Sequence, residues 1–322
     1  MTRKQILALA FKILVSAGLI VWLFQSKVDF GAIQDRLLQV SPLWLGAGIA
    51  VFVLQILIGG ARWKVVTDAI GARLQLGLAF RFFYIGAFFA QVLSVGGDAV
   101  RVYKAYRAGL GLGPAFSGVF LERAGTILAL LLIVVATQPV LIGRIEADMA
   151  GAMLFAVLAA LAAGIAGLAF LLYLDRLPAA LDRWRVVRGL RAVAGDTRRV
   201  FLVPGPLIRL MAWGILTHLN LTFAIFLLAR GLVIELSWLD CLALVPPVIL
   251  IATIPITIGG WGVREGAMIV LLGLIGVPEN DAGALSILAG LVGIAAALPG
   301  GVLWLLGKDH RIVLAPNEGQ SP

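Results

Sequence analysis

The sequence predicts an all-α polytopic membrane protein of about six full spans and two re-entrant helical hairpins, arranged as an inverted-topology repeat. Three observations predict it. Hydrophobic residues make up 61% of the chain and charged residues only 13%, against about a quarter charged in soluble domains. Several apolar runs reach the ~20 residues that cross a bilayer as a helix, without the short alternating segments of an outer-membrane barrel. The octet SVGGDAVR, Ser94–Arg101, returns with small changes as TIGGWGVR, Thr257–Arg264.

The spans follow in order. The first, 6–24, stands behind Arg3 and Lys4. Its length, the presence of Lys12 and the absence of a small-x-small cleavage site mark an uncleaved span rather than a signal peptide. The second is 43–61, the third 115–137, then 150–174, 207–229 and 283–306. Two apolar regions, 78–107 and 238–277, are each interrupted by a Gly-Gly pair. With these counted, the chain has about eight transmembrane segments.

Charge assigns the sides. Arg3 and Lys4 put the N-terminus in the cytoplasm; the nearly neutral 25–42 lies outside, and Arg62, Lys64 and Arg73 lie inside. If 78–95 crossed fully, Arg101, Lys104 and Arg107 would fall outside, against the rule. A hairpin that dips, turns at Gly96-Gly97 and returns keeps them cytoplasmic. The arginine-rich loop after 150–174 is inside, as are Lys308 and Arg311. For 238–277 charge is indifferent between a dip and two full spans; the repeat favours a dip, with Pro246, Pro247 and Pro255 breaking its descending arm.

Each half then reads span, span, broken dip, span. Three full spans is an odd number, so the halves, 1–140 and 141–310, have opposite orientation, followed by a disordered tail at 311–322. The loops DFGAIQDRLLQV and LDRWRVVRGLRAV space apolar residues at helical intervals and predict helices in the membrane interface, the second suited to anionic lipid. Inverted repeats with broken helices near mid-depth are a transporter architecture. The expected location is a bacterial-type cytoplasmic (inner) membrane, with both termini cytoplasmic.

Broken helices inside a bilayer need their freed backbone groups surrounded by protein or water. Glycine permits the tight turns, at Gly96, Gly97, Gly259 and Gly260. The half-helices that follow present N–H groups and a positive dipole end, with Arg101 and Arg264 about a turn further on; together they suit an anion such as phosphate. Snorkelling arginines and glycine packing are the plainer alternative. Glu122 and Arg123 lie within an apolar segment, where ionisable groups face a cavity or a partner. Being adjacent, they point apart, and Glu122–Arg101 is an expected pair, as is Glu265 with another cation. Asp98 is a substrate-site candidate or a helix cap. His218 and Asn220 suit interhelical hydrogen bonds. Arg62 and Arg230, near helix ends, suit interface anchoring, as do Trp44, Trp63, Trp213 and others near span borders.

Cys241 is alone and His218 and His310 are the only histidines, so neither an internal disulfide nor a His/Cys metal centre is expected, and no cofactor. The net charge of +9 reflects loop arginines rather than a nucleic-acid partner.

The blocks GGDAVRVYKAYRAGLGLGPAFSGVFLERAG and PITIGGWGVREGAM resemble the lysylphosphatidylglycerol synthase transmembrane-region family. That family includes the flippase half of the multiple peptide resistance factor and stand-alone flippase-like proteins. The resemblance covers about residues 5–307. It implies movement of a lipid headgroup between leaflets, with Asp98, Arg101, Glu122, Arg123, Arg264 and Glu265 lining or supporting the path. It departs from the resistance factor in having no soluble transferase domain before Pro322, so a synthase activity is not expected. The expected partners are membrane lipids, with an anionic phospholipid or lipid-linked substrate. A membrane enzyme acting on a phospholipid or polyprenyl carrier, a small-solute transporter, and an accessory to a separate synthase or transferase are the competing readings; an oligomer is compatible with each.

Overall fold

Helix accounts for nearly every residue that the computed structural model describes, namely 30–92, 96–142, 147–173, 185–254, 257 and 260–307. Span 6–24, Gly259, Pro255 and the tail 311–322 lie outside the described residues. The elements are α1 (Phe30–Leu38), α2 (Pro42–Ala69), α3 (Leu76–Val92), α4 (Gly96–Ala105), a π-helical turn (Tyr106–Leu110), α5 (Leu112–Ile142), α6 (Ala147–Tyr173), α7 (Arg185–Phe201), α8 (Pro204–Gly231), α9 (Trp238–Ala252), α10 (Val263–Gly273) and α11 (Glu279–Leu305). Five of them, α2, α5, α6, α8 and α11, are long and apolar enough to cross a membrane. They coincide with the five predicted spans that fall on described residues. The chain is thus a polytopic helical membrane protein.

Local signals explain the boundaries. Pro42 and Pro204 occupy the first turns of α2 and α8, where the missing N–H costs nothing. Ser237 and Asp240 form a reciprocal cap at the start of α9, the Asp240 N–H donating to Ser237 Oγ at 3.1 Å and the Ser237 N–H to Asp240 Oδ2 at 3.0 Å. Both predicted loop helices exist, as α1 and α7.

Two expectations are corrected here. Pro246 and Pro247 do not break the second dip: both lie inside α9, which continues to Ala252. The break comes later, where Gly260 and Gly262 adopt positive φ of 78° and 86° before α10 begins. α2 does not stop near residue 61 but runs to Ala69: the apolar run ends at Arg62, but Trp63, Val66 and Thr67 are packed in the interior, and tertiary packing overrides modest helix propensity. That extension carries Arg62 and Trp63 into the protein interior.

Apolar side chains gain little by leaving lipid for protein, so close backbone approach and polar contacts hold membrane helices together. α2 packs most heavily on α8. α3 lies against α4 and α11, and α9 against α10 and α5. α11 presents Gly290, Gly293, Gly300 and Gly301 to its neighbours, and Tyr84 Oη donates to the Ala296 carbonyl at 2.8 Å. The first hairpin closes at Gly97, where a Cβ would sit 2.8 Å from Ala90 Cβ and collide with the Gly86 carbonyl oxygen. α6 is the most outward-facing of the five long helices.

Gly97→Val is expected to pry α3 from α4 and lower stability by about 1–3 kcal/mol. Gly77→Ala, at a position with open space around it, is the control; thermal unfolding in detergent reads both.

Candidate functional site

Three helices, α2, α4 and α5, meet at one carboxylate. Glu122 of α5 is 0% exposed. Arg62 of α2 donates to its Oε1 from Nε at 2.7 Å and also from Nη2. Arg101 of α4 donates from Nη2 to Oε2 at 2.9 Å. Thr126, one turn along α5, donates to the Glu122 carbonyl at 2.7 Å. Arg62 reaches onward from Nη1 to Thr217 Oγ1 of α8. Both arginines are almost wholly buried, at 3% and 2% exposure.

Arg101 is held by two aromatic rings and two carboxylates, while its buried Nε has no hydrogen-bond partner. Trp63 and Phe83 flank its guanidinium, whose carbon lies 4.5 and 4.4 Å from their ring centroids. Desolvated cation–π contacts of this kind contribute about 2 kcal/mol or more. Gly86 leaves room for the side chain: a Cβ there would fall 2.6 Å from Arg101 Cγ. Nη1 of Arg101 donates to Asp98 Oδ1 at 3.1 Å, a pairing set by their spacing along one helix face.

Asp98 in turn accepts a two-point contact from Arg123, at 2.8 Å from Nε and 3.0 Å from Nη2. Its carboxylate therefore serves two guanidinium groups. Asp98 is 31% exposed and Arg123 49%, so the network runs from the interior to an open edge. Three arginines face two carboxylates, which leaves one positive charge in excess.

The second motif builds a smaller cluster. Arg264 of α10 donates to its neighbour Glu265 from Nη2 at 2.6 Å and lies over the Trp261 ring. Glu265 is buried, and its Oε2 accepts the Gly262 N–H at 2.5 Å. The first turn of α10 thus already holds a carboxylate from its own chain. Ser286 of α11 lies 3.3 Å from both Arg264 Nε and Glu265 Oε1. Arg264 remains 21% exposed and forms part of the wall of a largely apolar cavity of about 240 Å³, with Phe52, Leu221, Val248, Thr253 and Met268.

The structure therefore gathers Asp98, Arg101, Glu122, Arg123 and Arg62 into one network. It sets Arg264 and Glu265 apart, their bonds going to each other, Ser286 and the α10 N-terminus. The expected Glu122–Arg101 pair is present, and the cation beside Glu265 is its own neighbour. Asp98 engages two arginines. Gly96 and Gly97 open α4, and Gly260 supplies a turn with positive φ. His218 Nε2 meets the Thr126 carbonyl at 3.0 Å; Asn220 donates to Val51 O at 3.0 Å and to Gln55 Oε1 at 2.9 Å. These are the interhelical bonds expected.

Arg230 is exposed at the end of α8. The anchoring expectation is overturned for Arg62 and Trp63, which the extension of α2 buries. Trp63, Phe83, Thr126 and Thr217 were not foreseen as site residues. An Arg-Trp pair just past a predicted span end was the available signal for Trp63. Gln91, at the end of α3, is a further polar group inside the bundle: its Nε2 lies close to Gly293 of α11, as does the Phe52 ring.

Comparison with known families matches the model described as the lysylphosphatidylglycerol synthase TM region over residues 9–301. Comparisons with curated proteins and with solved structures gave no match.

Glu122→Gln strands two buried guanidinium groups and is expected to cost about 3–5 kcal/mol. Arg123→Gln, at the open edge, is expected to cost under about 1 kcal/mol. Thermal unfolding of the purified variants in detergent measures both.

Proposed function

We propose, from the premise that the chain belongs to the lysylphosphatidylglycerol synthase transmembrane-region family, that it carries an anionic lipid headgroup between leaflets. The chain is an integral membrane protein of lipid metabolism. One observation supports headgroup transport. A network with an excess positive charge is buried in the bundle, and its outer member, Arg123, is half exposed. Charge inside a membrane protein is costly and marks a path for a charged substrate. A fork of guanidinium groups suits the oxygens of a phosphate.

The pairing of helices supports the inverted repeat that such transport needs. α2 with α3 is matched by α8 with α9, α3 with α4 by α9 with α10, and α4 with α5 by α10 with α11. The cross-contacts also match: α3 with α11 by α9 with α5, and α2 with α11 by α8 with α5. On this reading, residues 1–140 and 141–310 are the two repeats, each with a re-entrant hairpin, and α2 and α8 lie at the pseudo-two-fold axis. Rocking of one repeat against the other exposes the charged groups to each leaflet in turn. The headgroup meets Arg123 at one cluster and Arg264 in the cavity of the other. Arg101, Arg62 and Glu122 hold the first cluster in position without touching the substrate.

The protein on this reading moves lipid without altering it. It sits in a bacterial-type cytoplasmic membrane with both termini inside, alongside a separate synthase or transferase that supplies the lipid.

The test uses proteoliposomes holding a headgroup-labelled anionic phospholipid, with leaflet transfer followed by a membrane-impermeant quencher. Arg123→Gln and Arg264→Gln are expected to slow transfer at least about tenfold, the effect of losing about 1.4 kcal/mol, while elution profile and thermal midpoint stay near wild type. Transfer at the wild-type rate by both variants refutes the role. Covalent change in the extracted lipid assigns an enzyme instead.

A further inference from the structure

The outer side of α5 carries a second feature, which the proposed path does not use. Ala124, Leu128 and Leu131 point away from the face that bears Glu122 and Thr126, as their spacing along the helix requires. With Gly164, Gly167 and Leu171 of α6 they line a groove of about 320 Å³, apolar throughout nearly all its surface. Glycine on α6 makes the groove deep: a Cβ at Gly167 would meet nothing within 4 Å.

One end of the groove is closed by α7. Phe201 forms part of its wall. Arg198 is fixed at this end by donating from Nη2 to the Leu172 carbonyl at 2.9 Å, next to Leu171. α7 contains five arginines and one aspartate. It buries Val193, Ala194, Val200 and Phe201, while Arg199 is exposed. The pattern is that of a helix lying along a membrane surface.

We infer that this groove holds an anionic phospholipid, one acyl chain lying between α5 and α6 and the phosphate seated on Arg198 and Arg199 of α7. The groove supplies the apolar half of the recognition and α7 the charge complement. A zwitterionic lipid of the same chains fills the groove equally well but gains less from α7. The bound lipid presses on α5 from behind the Glu122 network. The inference is independent of the transport reading, since Arg123 and Arg264 take no part in it.

The experiment titrates the purified protein, in neutral detergent, with dioleoylphosphatidylserine and with dioleoylphosphatidylcholine, reading the thermal midpoint. The wild type is expected to favour the anionic lipid. Arg198→Gln is expected to lower that preference about fivefold, the surface contribution of one cation. Gly167→Leu, which fills the groove, weakens both lipids and leaves their ratio unchanged. Gly151→Leu, exposed on the same helix with open space around it, binds as wild type. Equal affinity for the two lipids in the wild type overturns the proposal. So does wild-type titration by Gly167→Leu, or an undiminished anionic preference in Arg198→Gln.

Discussion

A charge buried inside a membrane protein must be answered by another, and Glu122 is where this protein meets that requirement. Its two oxygens accept from Arg62 and Arg101, so α2, α4 and α5 are tied at one point. Desolvating such groups costs several kcal/mol each, and their attraction returns it only when geometry and remaining hydrogen bonds are satisfied. Trp63, Phe83, Thr126 and Thr217 supply that geometry. The positions of Asp98 and Arg123 follow: once Arg101 is fixed, its neighbour one turn back is fixed too, and Arg123 closes on that carboxylate from the adjacent helix.

The remainder of the bundle is shaped by a different constraint. Hydrocarbon is as good a solvent for leucine as another leucine is, so the helices associate through contact at short range. Gly86 and Gly97 let α3 and α4 touch backbone to backbone. Gly300 does the same between α11 and Tyr84 of α3, and Gly301 admits the Phe88 ring. The charged network and the glycine contacts depend on each other. Arg101 threads past Gly86, and any larger residue there would push the guanidinium away from Glu122.

Much of this was legible in the sequence, and the reasons are physical. Span cores at 43–61, 115–137, 150–174, 207–229 and 283–306 are apolar for a full bilayer width, and hydropathy finds them. Paired glycines beside arginine mark breaks, and the breaks follow Val92 and Ala252. Glu122 and Arg123 announced themselves by being charged within an apolar run. Helix ends were harder, because hydropathy reports where lipid stops rather than where the helix does. α2 outlasts its apolar run, and the two residues it carries inward, Arg62 and Trp63, look from sequence alone like surface anchors. The prolines of α9 misled for a related reason: packing against neighbouring helices lets a helix continue past a residue that favours its end.

The first turn of α10 has a consequence for binding strength. Glu265 already occupies the Gly262 amide and the Arg264 guanidinium, so under the proposed transport function an arriving anion would meet a tethered competitor. Because that competitor is covalently attached, its effective concentration is on the order of millimolar or higher, and occupancy stays shallow. The same attachment makes departure easy, since the carboxylate swings back as the guest leaves. A site built this way trades grip for turnover.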